Sequence, residues 1–233
     1  MRKWLKICSF LFLKKDKSMK NILFDLDGTL INTGEGIISS IKKTASDMGL
    51  PSFSYEVLSA FIGPPLKDSF ISVYKMEPDR AMEAVKIFRE HYSREDMLLC
   101  SPYKGIRELL EDLTAKGCRL FVATSKPTPF AVKILDFFGF SRFFEETAGS
   151  CLDNTRSKKA EVISYLMEKY SLNADDTFMV GDKAQDLIGA SACNIKGIGV
   201  SFGFGTMEEL EGEPHLYIAS SPEDLLRFFD ELS

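Results

Sequence analysis

Short apolar runs alternate with helically periodic segments over most of the chain, and several of the apolar runs stop abruptly at polar residues. Short apolar runs between turn signals are typical of buried strands, whereas apolar residues recurring every three or four positions are typical of helices. The pattern predicts five core strands, near residues 20–25, 118–124, 144–148, 177–181 and 196–200. It predicts helices near residues 104–116, 128–138, 158–170 and 184–192. Such alternation predicts an α/β fold with a doubly wound parallel sheet.

Residues 34–100 interrupt the alternation, because they lack a strand-like run and are helically periodic. Apolar side chains recur at helical spacing in two stretches, at Ile37, Ile38, Ile41, Ala45 and Met48 and again at Ala81, Val85 and Phe88. The sequence therefore predicts an all-helical insertion that leaves the core through 32–34 and returns near 101–103. The remaining core would then consist of residues 20–33 and 101–233.

Composition narrows the classes of function. The 233 residues carry a formal net charge of −5, which argues against binding a nucleic acid polymer, since such proteins usually present a basic patch. The five cysteines are odd in number and form no CxxC pair, which favours a reducing, cytoplasmic setting. With only two histidines and no cysteine pair, a zinc site is not expected.

The first nineteen residues differ from the rest, because a basic start is followed by the apolar stretch Trp4–Leu13. That stretch is too short to span a membrane, and no small-residue cleavage site follows it. We expect residues 1–19 to be a dispensable extension or a mis-assigned start, with Met19 as the alternative first residue. A peripheral membrane helix is the other interpretation, and stable membrane insertion is not expected.

The first predicted strand ends in two carboxylates, Asp25 and Asp27, followed at once by Gly28. Alternation along a strand points both acids to the same side. A buried carboxylate costs several kcal/mol unless it is compensated, and a hard divalent cation such as Mg²⁺ would compensate both. An ordinary Asp-Gly turn at the end of a strand is the simpler interpretation.

Three later segments place polar groups at similar junctions. Thr124, Ser125 and Lys126 end the second strand, although this segment also suits a helix cap. Two adjacent lysines, Lys158 and Lys159, open a helix, although such lysines often form only a solvated basic face. The fourth strand ends at Asp182, and Asp186 follows one helical turn later on the same face. In open α/β sheets, ligands bind at this carboxyl edge.

Taken together and in this order, the four segments resemble the motifs of the haloacid dehalogenase-like (HAD) hydrolases over residues 20–233. The resemblance implies a Rossmann-like core with an inserted helical cap. It implies that Asp25 is the nucleophile that forms an aspartyl-phosphate, and that Asp27 is the general acid and base found in phosphatases and phosphomutases. A cap would suit this chemistry, because a lid excludes bulk water.

The resemblance also assigns the other site residues. Asp25, the backbone carbonyl of Asp27 and Asp182 would hold Mg²⁺, with Asp186 orienting the site lysine or a metal-bound water. The site lysine would be Lys159, with Lys158 as the alternative. The phosphate group would be bound by the chain around Gly28 and by the segment Thr124, Ser125 and Lys126.

The substrate would be a small phosphorylated metabolite, because two further stretches, 149–156 and 203–210, resemble a subgroup named phosphoglycolate phosphatase or 5′-nucleotidase. Nothing in these residues separates a two-carbon acid from a nucleoside. In the insertion, the loop Phe61–Lys67 resembles loops that face the active site, so Lys67 and, from the core, Arg156 are candidate contacts for the distal part of the substrate. The alternatives are a β-phosphoglucomutase-like phosphomutase and a regulatory protein without activity. We expect a monomer or a homodimer.

Overall fold

The structure, a computed structural model, describes residues 19–152 and 155–232. The predicted extension, apart from Met19, therefore lies outside the described residues. In the described part of the chain, no helix has both the length and the apolar character needed to cross a bilayer.

Six parallel strands form the central sheet, in the order β5-β4-β1-β6-β7-β8. Their bounds are β1 Asn21–Phe24, β4 Arg119–Pro127, β5 Glu146–Ser150, β6 Thr177–Gly181, β7 Lys196–Val200 and β8 Tyr217–Ala219. The doubly wound α/β prediction is thus confirmed, and the five predicted strands are all present. The edge strand β8 was not predicted, because it is only three residues long. A further antiparallel pair consists of β2 Ile31–Asn32 and β3 Ser101–Pro102.

Helices cover both faces of the sheet. In the core they are α5 Ile106–Ala115, α6 Thr128–Phe137, α7 Lys159–Tyr170, α8 Ala184–Ala192, α9 Met207–Glu211 and α10 Pro222–Glu231. Alternation along the strands builds two separate apolar layers, so that Ile22 packs with the α5, α6 and α10 side, whereas Leu23 packs with α7 and α8. Helices α9 and α10 were not among the predicted helices.

The helical insertion (residues 34–100) contains α1 Gly34–Asp47, α2 Tyr55–Leu58, α3 Leu66–Tyr74 and α4 Pro78–His91, and α4 continues into a π-helical turn at Tyr92–Asp96. The predicted apolar stripe of α1 is buried up to Ala45, whereas Met48 lies just beyond the helix and is half-buried. The insertion leaves and re-enters the core through the paired strands β2 and β3, where Asn32 lies opposite Ser101.

Close packing holds the two ends of the helical insertion together. Gly36 in α1 donates its backbone N–H to the Leu99 carbonyl at 3.0 Å, and a Cβ at Gly36 would lie 2.2 Å from the Asp96 carbonyl oxygen. Because the obstructing atom is backbone, it cannot rotate away as a flexible side chain would. The absence of a side chain at Gly36 therefore allows the outgoing and returning segments to touch.

We predict that Gly36→Ala lowers the free energy of unfolding by about 3 kcal/mol, at the upper end of ordinary overpacking costs. Gly117→Ala is the matched control, because Gly117 has φ +79° and open space around its Cβ position, so only backbone strain of about 1–2 kcal/mol is expected there. Urea unfolding of both variants measures the difference. A loss at Gly36 no larger than that at Gly117 would contradict the close-packing argument.

Candidate active site

The carboxyl ends of β4, β1 and β6 lie side by side, because β1 is the central strand of the three. Phe24 pairs with Val122 on one side and with Val180 on the other. The residues that follow each strand therefore meet at one edge of the sheet. The Asp25 N–H donates to the Val180 carbonyl at 2.8 Å, which fixes the start of the loop after β1.

Three buried carboxylates converge at this edge. Asp25, Asp182 and Asp186 each offer an oxygen, and these oxygens all lie within 4.8 Å of one another. Relative exposure is 3% for Asp25, 0% for Asp182 and 1% for Asp186. The cluster joins β1, the end of β6 and the first turn of α8, so residues more than 150 positions apart in the sequence form one site.

Lys159 lies within this cluster. Its Nζ is 2.8 Å from Asp25 Oδ1 and 2.8 Å from Asp186 Oδ1, and it donates to the Ala123 carbonyl at 2.9 Å. Burial disfavours the charged amine, but Asp186 and Asp25 outweigh it and raise the pKa of Lys159 above its ordinary value. Lys158 is exposed. Of the two candidate lysines, the structure therefore brings Lys159 to the carboxylates.

Asp182 is enclosed by backbone. Its Oδ2 accepts the Phe204 N–H at 2.8 Å, and a Cβ at Gly28 would lie 2.1 Å from that same oxygen. Gly28 also has φ +82°, a conformation that glycine adopts without strain. Burial, followed by repulsion from Asp186 and Asp25, raises the pKa of Asp182 well above its ordinary value. The Gly28 position therefore admits no larger residue while Asp182 stays in place.

The carboxylate cluster fits a hard divalent cation. Three carboxylates face the single ammonium of Lys159, and burial raises the pKa of Asp25 to about 6 despite that ammonium. Asp25 Oδ1 is fully buried and accepts no well-aligned hydrogen bond. One ammonium leaves negative charge on the three carboxylates to be offset, and carboxylate oxygens are ligands that Mg²⁺ takes, so Asp25, Asp182 and Asp186 could hold such an ion.

Asp27 has a separate set of partners. Thr33 Oγ1 donates to Asp27 Oδ1 at 2.6 Å, and Lys126 Nζ donates to Asp27 Oδ2 at 2.9 Å. Burial opposes the charge on Lys126, but Asp27 and Tyr92 hold its pKa above the ordinary value. Both Asp27 oxygens are thus fixed. The Lys126 ammonium, predicted to bind phosphate, is paired here with a carboxylate.

The remaining predicted phosphate-binding residues lie at the same edge. Thr124 is buried, and its Oγ1 accepts the Lys126 N–H at 3.2 Å, which holds the irregular end of β4. Ser125 is half-buried and lines the neighbouring cavity. The end of β4 thereby turns its polar atoms toward the region between the core and the helical insertion.

A cavity of about 480 Å³ lies between the core and the helical insertion. The core contributes Asp27, Ser125 and Lys126 to its wall, together with Ser150 and Ser157. The insertion contributes mostly apolar side chains and several polar ones: Ile37, Phe61, Gly63, Pro64, Pro65, Leu66, Lys67, Asp68, Met82, Val85, Phe88, Arg89 and Tyr92. The predicted loop Phe61–Lys67 therefore does face the site.

Arg156 is placed differently from its predicted role. Its Nε donates to the Gly149 carbonyl at 2.9 Å, and its guanidinium lies 4.2 Å from the Tyr165 ring centroid. Arg156 is not among the described residues that line the cavity, whereas Arg89 from α4 is. Sequence reasoning missed Arg89, Tyr92 and Thr33, because none of them belongs to a motif.

Comparison with known proteins gives a consistent family assignment. The family model described as haloacid dehalogenase-like hydrolase matches residues 22–200. A 5′-nucleotidase from Pseudomonas aeruginosa is 42% identical over 200 residues, 85% of this chain and 90% of that protein. A phosphoglycolate phosphatase from Agrobacterium fabrum is 30% identical over 203 residues, 84% of this chain and 86% of that protein.

One further relative and one crystal structure are also similar to this chain. A protein named tyrosine-protein kinase PtkA from Mycobacterium tuberculosis is 33% identical over 195 residues, 84% of this chain and 66% of that protein. A crystal structure of a predicted phosphatase from Clostridium acetobutylicum superimposes with a TM-score of 0.89 at 39% identity, covering 92% of this chain and all of that one. The resemblance drawn from the four motifs is confirmed: the chain belongs to the haloacid dehalogenase-like hydrolases and is a phosphatase of that family.

Proposed function

We propose that the protein is a Mg²⁺-dependent phosphomonoester hydrolase that works through an aspartyl-phosphate on Asp25. The observation that carries the proposal is the division of the site into two charge clusters. Lys159 bridges Asp25 and Asp186 on one side, and Lys126 and Thr33 hold Asp27 on the other. A nucleophile and an acid–base group need different environments, and this division supplies them.

Asp25 is proposed to attack phosphorus in line, while Asp27 gives a proton to the leaving alcohol oxygen. Asp27 then takes a proton from the water that hydrolyses the acyl-phosphate bond, which restores both carboxyl groups. Lys159 offsets negative charge on Asp25 and on the transferring group, and the Thr124 hydroxyl and the backbone amides after Asp27 bind phosphoryl oxygens. When bound by Asp25, Asp182 and the Asp27 carbonyl, Mg²⁺ would supply charge stabilisation, with Asp186 orienting Lys159.

The helical insertion is proposed to act as a cap over this chemistry, with residues 20–33 and 101–233 as the catalytic core. Gly63 in the Phe61–Lys67 loop supports this role, because its Cβ position lies 3.0 Å from Lys183 Cγ of the core. Lys67 stands in the cavity wall as a candidate contact for the far end of the substrate. The four described cysteines outside any disulfide, Cys100, Cys118, Cys151 and Cys193, support a cytoplasmic setting.

Within the substrate class, we favour a 5′-nucleotide over a phosphoglycolate-like acid. The cavity holds about 480 Å³ and has a largely aromatic and aliphatic wall on the side of the insertion. A planar, partly apolar base would bury surface there, whereas a two-carbon acid would leave most of the cavity to water. Release of inorganic phosphate from nucleotides, sugar phosphates and phosphoglycolate tests the choice, and isomerisation of glucose 1-phosphate without phosphate release would indicate the phosphomutase instead.

Asp25→Asn should lower the rate of phosphate release by at least about 10³-fold, because the amide cannot attack phosphorus. The same change at the exposed Asp175 is the matched control and should leave turnover unaltered. Circular dichroism should show both variants folded. Retention of a tenth of wild-type activity by the Asp25 variant would rule out its role as nucleophile.

Asp27→Asn should slow hydrolysis of alkyl phosphates by about 10²–10⁴-fold, the usual worth of general acid–base catalysis. The first step should suffer much less with p-nitrophenyl phosphate, because p-nitrophenolate leaves without protonation. Rapid-quench measurement of phosphoenzyme formation separates the two steps. Equal losses for both leaving groups would count against a general-acid role.

Mg²⁺ at about 100 times its dissociation constant should stabilise the folded protein by ~2.7 kcal/mol, which corresponds to a rise in Tm of roughly 5–10 °C for a chain of this size. Asp182→Asn should remove most of that rise, and Asp175→Asn should keep it. Differential scanning calorimetry with and without Mg²⁺ provides the measurement. An undiminished rise in the Asp182 variant would mean that the metal binds elsewhere.

A further inference from the structure

Tyr92 is the one tyrosine of the described residues that lines the cavity. It is only 1% exposed and stands at the junction of α4 and the π-helical turn. Its ring stacks on Phe88 at 5.3 Å between centroids and meets the edge of Phe130 from the core at 5.8 Å. The ring is therefore held in place by both the insertion and the core.

The Tyr92 hydroxyl is buried and makes no well-aligned hydrogen bond in the part of the chain that the structure describes. The nearby Lys126 ammonium interacts with the hydroxyl but can only donate, so the hydroxyl proton has no acceptor among these residues. Burial raises the pKa of Tyr92 to about 12, so the hydroxyl keeps its proton at neutral pH and remains a donor. Buried tyrosine hydroxyls usually find a partner, because an unmade bond costs free energy. Because the Tyr92 hydroxyl lies in the wall of the cavity, a ligand in the cavity could supply the missing hydrogen-bond acceptor.

Lys126 supplies a second donor at the same place. Its Nζ lies 4.8 Å from the Tyr92 ring centroid and donates one proton to Asp27 Oδ2 at 2.9 Å. An ammonium carries three donors, so Lys126 has capacity beyond Asp27. Tyr92 and Lys126 thus place two donors beside Asp27, the proposed proton donor to the ester oxygen. A leaving group with an acceptor atom a short distance from its ester oxygen would pair with them.

We propose that Tyr92 Oη, assisted by Lys126, donates a hydrogen bond to an oxygen on the second carbon from the ester oxygen, and so selects phosphomonoesters whose alcohol carries such an oxygen. The inference rests on the proposed function, which places Asp27 at the ester oxygen. Both substrate classes considered above have such an oxygen. In a nucleoside 5′-phosphate it is the ring oxygen of the sugar, and in phosphoglycolate it is the carboxylate.

Two substrate pairs test the proposal, and in each pair one member lacks the oxygen on the second carbon. One pair is a nucleoside 5′-phosphate and its carbocyclic analogue, and the other is phosphoglycolate and ethyl phosphate. Tyr92→Phe should lower kcat/KM by about 3- to 10-fold for the oxygen-bearing member of whichever pair is hydrolysed, as expected for one lost hydrogen bond. The other member should change by less than about twofold, and the pair that responds identifies the source of the oxygen.

Tyr74→Phe is the matched control. Tyr74 makes the same kind of aromatic contacts within the insertion, with Phe53 and Phe70, but does not line the cavity. It should not distinguish between the members of either pair. Equal losses for both members in Tyr92→Phe, or no loss for either, would overturn the inference.

Binding of the free alcohols separates this inference from the proposed function. Calorimetry uses the free alcohols of both pairs, a nucleoside with its carbocyclic analogue and glycolate with ethanol. In the wild-type protein one pair should favour the member that carries the second oxygen, and Tyr92→Phe should remove that preference. That preference can be present or absent whether or not phosphate is released. No phosphate release from any substrate would contradict the proposed function alone, whereas equal binding of the two alcohols to wild type in both pairs would contradict the role of Tyr92.

Discussion

The buried ammonium of Lys159 is the interaction on which the rest of the site depends. It starts α7, yet it holds Asp25 after β1, Asp186 in α8 and the Ala123 carbonyl of β4. These three partners are all buried. Removing one member of such a buried set leaves an uncompensated charge, which is strongly destabilising. The arrangement therefore fixes four elements around the carboxylate that we propose as the nucleophile.

Much of the fold follows from sequence pattern, and the exceptions have physical causes. The five predicted strands and the four predicted core helices are present, because continuous apolar runs and helical periodicity both report burial. The strand β8 has only three residues and pairs on one side alone, so little apolar pattern marks it. The strand β4 runs to Pro127, three residues beyond its predicted end, through an irregular register that apolar pattern does not signal.

The candidate site, like the fold, was only partly predictable from the sequence. Carboxylates at strand ends can be recognised in the sequence, because burying an acid after an apolar run costs free energy unless the acid is compensated. The family resemblance favoured Lys159 over Lys158, but both adjoin the helix start, and the packed structure shows that Lys159 is the buried one. Tyr92 continues the apolar stripe of α4, so its sequence position indicates a core residue. The proposed role of Tyr92 depends on a single hydroxyl, and only three-dimensional contacts reveal that this hydroxyl makes no well-aligned hydrogen bond.

The two short strands that connect the insertion to the core have an evolutionary consequence. Asn32 and Ser101 lie opposite each other, so the chain departs and returns at nearly the same point while β1 and β4 remain direct neighbours. A segment spliced at such a point can be lengthened, shortened or exchanged without changing the order of the sheet. If the insertion selects the alcohol, as we propose, descendants of one ancestral core could thus change that selection while the core site for the phosphoryl group stays unaltered.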